Sequence, residues 1–121
     1  FLEPERLNSK SADLIADRTQ SIYLSAASSW EIAIKCRLGK LVLPEAPASY
    51  VPRRLHEEGM LSLPIEQTHA LHVYALPNHH RDPFDRMLIA QAQYESLAIL
   101  TADPQFKKYH VKVLWASRRN R

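Results

Sequence analysis

The feature that most constrains this chain is a capped helix followed at once by a short apolar strand. Asp82 stands directly before Pro83, and a proline at the first helical position, where its missing N–H has no partner to lose, marks a helix start. From there Phe84, Met87, Leu88 and Ala92 recur at helical spacing, with Ile89 and Ala90 widening the stripe. Ala98, Ile99 and Leu100 then form a run too short for a helix and suited to a buried strand. Asp103-Pro104 closes that run and is expected to open another short helix. A helix runs antiparallel to the strand that follows it in such a unit. Its N-terminus, carrying Asp85, is therefore expected beside the strand's C-terminal end, where Asp103 emerges. Two carboxylates reach the edge at which open α/β sheets place their ligands.

The rest of the chain repeats the alternation. Glu3 to Asn8 reads as a loop, and Ser9 or Ser11 as the cap of a short helix through Ala16. Ile22-Tyr23-Leu24, β-branched and aromatic, is a strand candidate ending at Ser25. The spacing of Trp30, Ile34 and Leu38, with Ile32 and Ala33 beside them, predicts a helix over Ala26 to Leu38. Gly39 closes it, and Lys35, Arg37 and Lys40 suit the negative end of its dipole. Leu41 to Pro44 is an extended linker. Ala48 to Glu58 is expected to be a helix with Pro52 in its first turn and Gly59 at its end. Leu61-Ser62-Leu63 is a second strand, and Glu66 to Leu76 a helix with Ala70, Leu71, Val73 and Tyr74 as its apolar face and Pro77 as its stop. Val111 to Leu114 makes a final strand, and Ser117 to Arg121 a basic tail. Alternating strands and helices predict an α/β fold with a mainly parallel sheet, and the 121 residues suit a single domain, 1–121.

Composition excludes several functions. With Gly39 and Gly59 as its two glycines against eight prolines, the chain has no glycine-rich phosphate cradle. The lone Cys36 rules out an internal disulfide and favours a reducing, cytoplasmic setting. No apolar run is long enough to span a bilayer, and there is no helix-turn-helix or zinc-finger pattern. A net charge of +3 permits a phosphate-bearing partner without demanding one.

Glu31 falls near the start of the helix after Ile22-Tyr23-Leu24, which brings it to the same sheet edge as Asp85 and Asp103. Carboxylates on one rim suit Mg²⁺ or Mn²⁺, which prefer oxygen ligands and keep several waters. An ion there can bind a phosphodiester oxygen, acidify a water and offset developing negative charge. Each acid also has a plainer role. Asp82 is an N-cap, Asp85 favours the helix dipole, Ser28-x-x-Glu31 matches a capping box, and Asp103 can cap the next helix. Lys35, Arg37, Arg81 and Arg86 flank the rim and either hold phosphate or face solvent. Trp30 is expected in the core with Ile34 and Leu38 rather than as a base-stacking platform. His69, His72, His79 and His80 are expected to be exposed, since no Cys or HExxH pattern completes a zinc site.

The stretches SAASSWEIAIKCRLGKL, LPIEQTHALHVYALPNHHRDPFDRMLIAQA and LAILTADPQF, in this order and spacing, resemble the PIN-domain ribonucleases, in particular the VapC-like toxins of bacterial type II toxin–antitoxin pairs. The resemblance runs from Leu7 to Leu114. It implies an α/β/α sandwich around a parallel sheet and a Mg²⁺- or Mn²⁺-dependent endoribonuclease. It further implies that Glu31, Asp85 and Asp103 are the catalytic, metal-holding acids, supported by Asp82 and Thr101, with Lys35, Arg81 and Arg86 as candidate RNA contacts. The partners it implies are an RNA substrate, a second copy of the chain and a cognate antitoxin whose tail lies across the active site. DNA would be met only through that antitoxin. The chain departs from the family at its start. Members begin with a central strand of the form LLLDTHxLLW ahead of the region matching FLEPERL, and its Asp supplies one of four acids. Without that strand the sheet is expected to lack its middle and the nuclease to be impaired. The alternative is a catalytically inactive remnant that still binds antitoxin or RNA.

Overall fold

The computed structural model describes residues 21–77, 82–101, 109 and 113–115. Strand β1 (Tyr23–Ser25) leads straight into helix α1 (Ala26–Arg37), followed by α2 (Pro47–Glu58), β2 (Leu61–Leu63) and α3 (Gln67–His72). A 3₁₀ turn over Val73–Ala75 extends α3; then come α4 (Pro83–Glu95), β3 (Ile99–Thr101) and β4 (Val113–Trp115). Among the described residues no helix is long and apolar enough to cross a membrane.

Among the described residues all strand pairing is parallel, as the alternation predicts. β1 pairs with β2 in the register Tyr23↔Leu61 to Ser25↔Leu63, and β3 with β4 in the register Ile99↔Val113 to Thr101↔Trp115. The described strands form two two-stranded sheets. Adjacent residues of β3 enter different apolar clusters. Ile99 joins Leu88, Ile89 and Ala92 of α4, whereas Leu100 joins Leu24 of β1, Ile32 of α1, Val51 of α2 and Met60. Since successive strand residues point to opposite faces, β3 lies between two apolar layers, as an α/β/α fold requires.

The helix ends follow local chemistry. Ser25 caps α1, its Oγ accepting the Ala27 N–H at 3.0 Å. At the other end Gly39 takes the left-handed conformation (φ 75°). There the Gly39 and Lys40 N–H groups reach back to the Cys36 and Lys35 carbonyls at 3.1 and 2.9 Å, the paired bonds of a Schellman stop. Gly59 ends α2 in the same conformation (φ 66°). Asp82 caps α4, its Oδ1 accepting the N–H groups of Phe84 at 2.9 Å and Asp85 at 3.3 Å.

Several expectations are corrected. The stripe of α1 through Trp30, Ile34 and Leu38 is not its core face: Trp30 and Leu38 are exposed, and Ala27, Ser28 and Ile32 are buried. The neighbours decide this: Ala27 joins the apolar cluster of Leu88, Ile89 and Ala92 on α4, and Ile32 that of Leu24, Val51 and Leu100. Ser28 starts no capping box, since the helix begins three residues earlier at Ser25. Pro52 lies inside α2 rather than in its first turn, because the helix begins at Pro47. The apolar face assigned to α3 is largely solvent-facing: Leu71 and Tyr74 are exposed, while His69 is buried. That helix also tightens to 3₁₀ geometry after His72 instead of running to Leu76. The last strand is described over Val113–Trp115, with Val111 and Lys112 outside the described residues. The loop and short helix before residue 20, His79, His80, the turn at Asp103-Pro104 and the basic tail lie outside the described residues.

Candidate functional site

Two of the three expected acids sit on helices that touch. α1 packs against α4, and the contact includes Trp30 and Phe84, whose ring centroids lie 5.0 Å apart at an interplanar angle of 73°. Glu31 follows Trp30 and Asp85 follows Phe84. The ring pair therefore brings the backbone of both acids to one place, joining positions far apart in sequence. Asp103 lies outside the described residues, and of Thr101 only the place at the end of β3 is described.

The two acids differ in setting. Asp85 belongs to the first turn of α4 and is 9% exposed. Its own N–H is taken by the Asp82 carboxylate, so Asp82 serves the helix and orients the turn that carries Asp85. Glu31 lies in the second turn of α1, beyond the cap, and pairs with Lys35 one turn on at 3.2 Å. One turn before Glu31, the buried Ser28 Oγ has no hydrogen-bond partner among the described residues.

The cations are committed differently. Lys35 balances Glu31. Arg86 donates to the Pro77 carbonyl at 2.9 Å and the Val73 carbonyl at 3.4 Å, tying α4 to the end of the 3₁₀ turn. Arg81 lies outside the described residues.

Behind the acids runs a buried polar chain that sequence patterning did not reveal. Gln91 of α4 is wholly buried. Its Oε1 accepts the Ser25 hydroxyl at 2.5 Å, and its Nε2 donates to the Pro64 carbonyl at 3.1 Å. Ser25 thus caps α1 and ties it to α4 at once. His69 lies beside this link, 1% exposed rather than solvent-facing. Its Nδ1 accepts the Glu66 N–H at 3.0 Å, which leaves the ring proton on Nε2, 2.7 Å from Glu95. His72 bonds Gln93 at 2.9 Å. These two histidines fasten α3 to α4. Among the described residues no group of three or more His, Cys, Asp or Glu side chains is placed to hold a metal ion. Glu31, Asp85 and the unpartnered Ser28 hydroxyl offer oxygen only. That donor set fits a hard ion such as Mg²⁺ or Mn²⁺ and not zinc.

Comparison with known proteins bears on this arrangement in two ways. The family model described as PIN domain matches residues 1–112. Over 59 residues the chain is 51% identical to the protein called Ribonuclease VapC16 of Mycobacterium tuberculosis (strain ATCC 25618 / H37Rv). That stretch is 49% of this chain and 42% of the relative, so the chain matches less than half of that protein's length.

Proposed function

Because the chain belongs to the PIN domain family, we propose that it derives from, and acts as, a metal-dependent endoribonuclease, the toxin of a toxin–antitoxin pair. The observation that carries this reading is the Trp30–Phe84 contact, which sets the acids that follow each ring on adjoining helices. The similarity to a protein named as a ribonuclease supports it.

In this reading Glu31, Asp85 and Asp103 hold the ion and Asp82 and Thr101 support them. The bound ion would polarise the RNA phosphodiester and lower the pKa of the attacking water. The protein's own part is positional. Burial of Asp85 lowers the local dielectric and strengthens its pull on a cation. The Asp82 cap holds the first turn of α4 in place, and the Ser25–Gln91 bond fixes α1 against α4. Lys35 keeps Glu31 neutralised until a stronger cation competes for it, and is then available to phosphate. Arg81 is a second phosphate contact, whereas Arg86 shapes the turn before the site. A single domain in the cytoplasm, pairing with a second copy and restrained by a cognate antitoxin, completes the proposal.

The test is cleavage of structured RNAs with Mg²⁺ and with Mn²⁺ by the protein, by Asp85→Asn and by Glu31→Gln. Metal-dependent cleavage lost in both variants, and lost on adding a chelator, is the expected result. RNA bound but never cut would replace the enzyme by the inactive, RNA- or antitoxin-binding remnant. Cleavage unaffected by Asp85→Asn would remove this site from the chemistry.

A further inference from the structure

Trp30 is 60% exposed although it is one of the two largest apolar side chains of its kind in the sequence. It is not left loose. Phe84 packs on it in a T-shaped pair, centroids 5.0 Å apart, a favourable arrangement because a ring edge carries partial positive charge and a ring face partial negative. In a T-shaped pair at most one face of the indole is used. The residue stays 60% exposed, so Phe84 braces the ring while much of its apolar surface meets solvent. It stands one residue from Glu31, against a ring one residue from Asp85.

We propose that Trp30 is a stacking platform for one unpaired RNA base beside the scissile phosphate, held in place by Phe84. The proposal rests on the nuclease reading and adds how the substrate is gripped. Flat aromatic faces next to phosphate-directed chemistry suit single-stranded RNA, whose splayed bases stack on aromatic side chains whatever their identity. A protein partner is the weaker occupant for this ring. Leu38 on the same stripe is also exposed, but it lies two turns away at the opposite end of α1 from the acids. Lys35, one turn beyond Glu31, pairs with that acid at 3.2 Å and turns to phosphate once a metal ion takes its place. The platform predicts a substrate with at least one unpaired nucleotide at the cut, and weak preference for which base occupies it.

The experiment is a titration without divalent metal, so that RNA binds uncut, of the protein, Trp30→Ala and Trp30→Phe with oligouridylate and oligoadenylate at fixed salt. Tryptophan emission is read alongside affinity. Since Trp30 is largely exposed, its removal is expected to leave the circular dichroism spectrum and melting profile close to the parent's. The expected result is that both oligomers quench emission and that Trp30→Ala weakens binding about 5- to 150-fold, the range for one lost base stack. Trp30→Phe should keep most of the affinity and lose most of the quenching, the remaining emission coming from Trp115. Equal binding by Trp30→Ala and the parent overturns the platform and leaves the nuclease reading standing. Unchanged RNA binding with altered self-association in sedimentation also overturns it, assigning the ring to a protein contact. Failure of all three proteins to bind either oligomer overturns the platform, and the nuclease reading falls with it when structured RNAs are also left uncut with Mg²⁺ and with Mn²⁺.

Discussion

Replacing Gln91 by leucine removes the link between α1 and α4 while keeping side-chain volume nearly constant. In the native protein the Gln91 amide satisfies the Ser25 hydroxyl at 2.5 Å and the Pro64 carbonyl at 3.1 Å. The two losses are unequal. Ser25 is wholly buried, so its hydroxyl proton has no water to turn to, and an orphaned buried donor costs about 1–3 kcal/mol. Pro64 is exposed, so its carbonyl can be hydrated, and its loss adds less than about 1 kcal/mol. The sum is about 1–4 kcal/mol, a large share of the roughly 5–15 kcal/mol that holds a domain together. In urea, with a slope of about 1.5 kcal/mol/M, the midpoint should fall by roughly 0.7–2.7 M at unchanged slope. Ser25→Ala in the Gln91→Leu background separates this account from general core damage. It deletes the orphan, so the double variant should be more stable than the two single losses predict, by about 1 kcal/mol or more. A Gln91→Leu protein within about 0.5 kcal/mol of the parent, the range of an inconsequential surface change, would refute the reasoning. So would strict additivity in the double variant.

Three further outcomes follow from single contacts. Asp82→Ala should lower stability by about 0.5–2 kcal/mol in urea unfolding, since two N–H groups lose their acceptor, and Asp82→Ser should restore most of it. A Cβ added to Gly39 meets nothing within 4 Å, so Gly39→Ala should cost only the backbone strain of φ 75°, about 1–2 kcal/mol by thermal denaturation. Lys35→Gln removes the cation that competes for Glu31 at 3.2 Å. A partly exposed pair of this kind is worth about 0.2–1 kcal/mol, so Mn²⁺ affinity measured by calorimetry without RNA should rise by up to about fivefold.

The sequence by itself determined what a single turn of backbone can settle. The Asp82-Pro83 start of α4, the glycine stops after α1 and α2, and the parallel alternation of strands and helices were all legible. Caps and left-handed stops are made by hydrogen bonds between residues two to five apart, and no distant element changes them. The ordered motifs also pointed to the PIN domain family, to which the chain belongs. Amphipathic stripes were less secure. Apolar residues lie on two sides of α1, Ala27, Trp30, Ile34 and Leu38 along one stripe and Ile32 away from it. Which face is buried depends on the partner helix. Only the tertiary structure buried Ala27 in the cluster with α4 and Ile32 in the cluster with β1 and α2. It left Trp30, next to Glu31 in sequence, largely exposed against Phe84, next to Asp85. The same holds for His69, Gln91 and Ser25. Polar residues are read as exposed because burying them without partners is costly. Their partners here lie up to 66 positions away in the chain, beyond the reach of any local pattern, and the fold alone brings them together.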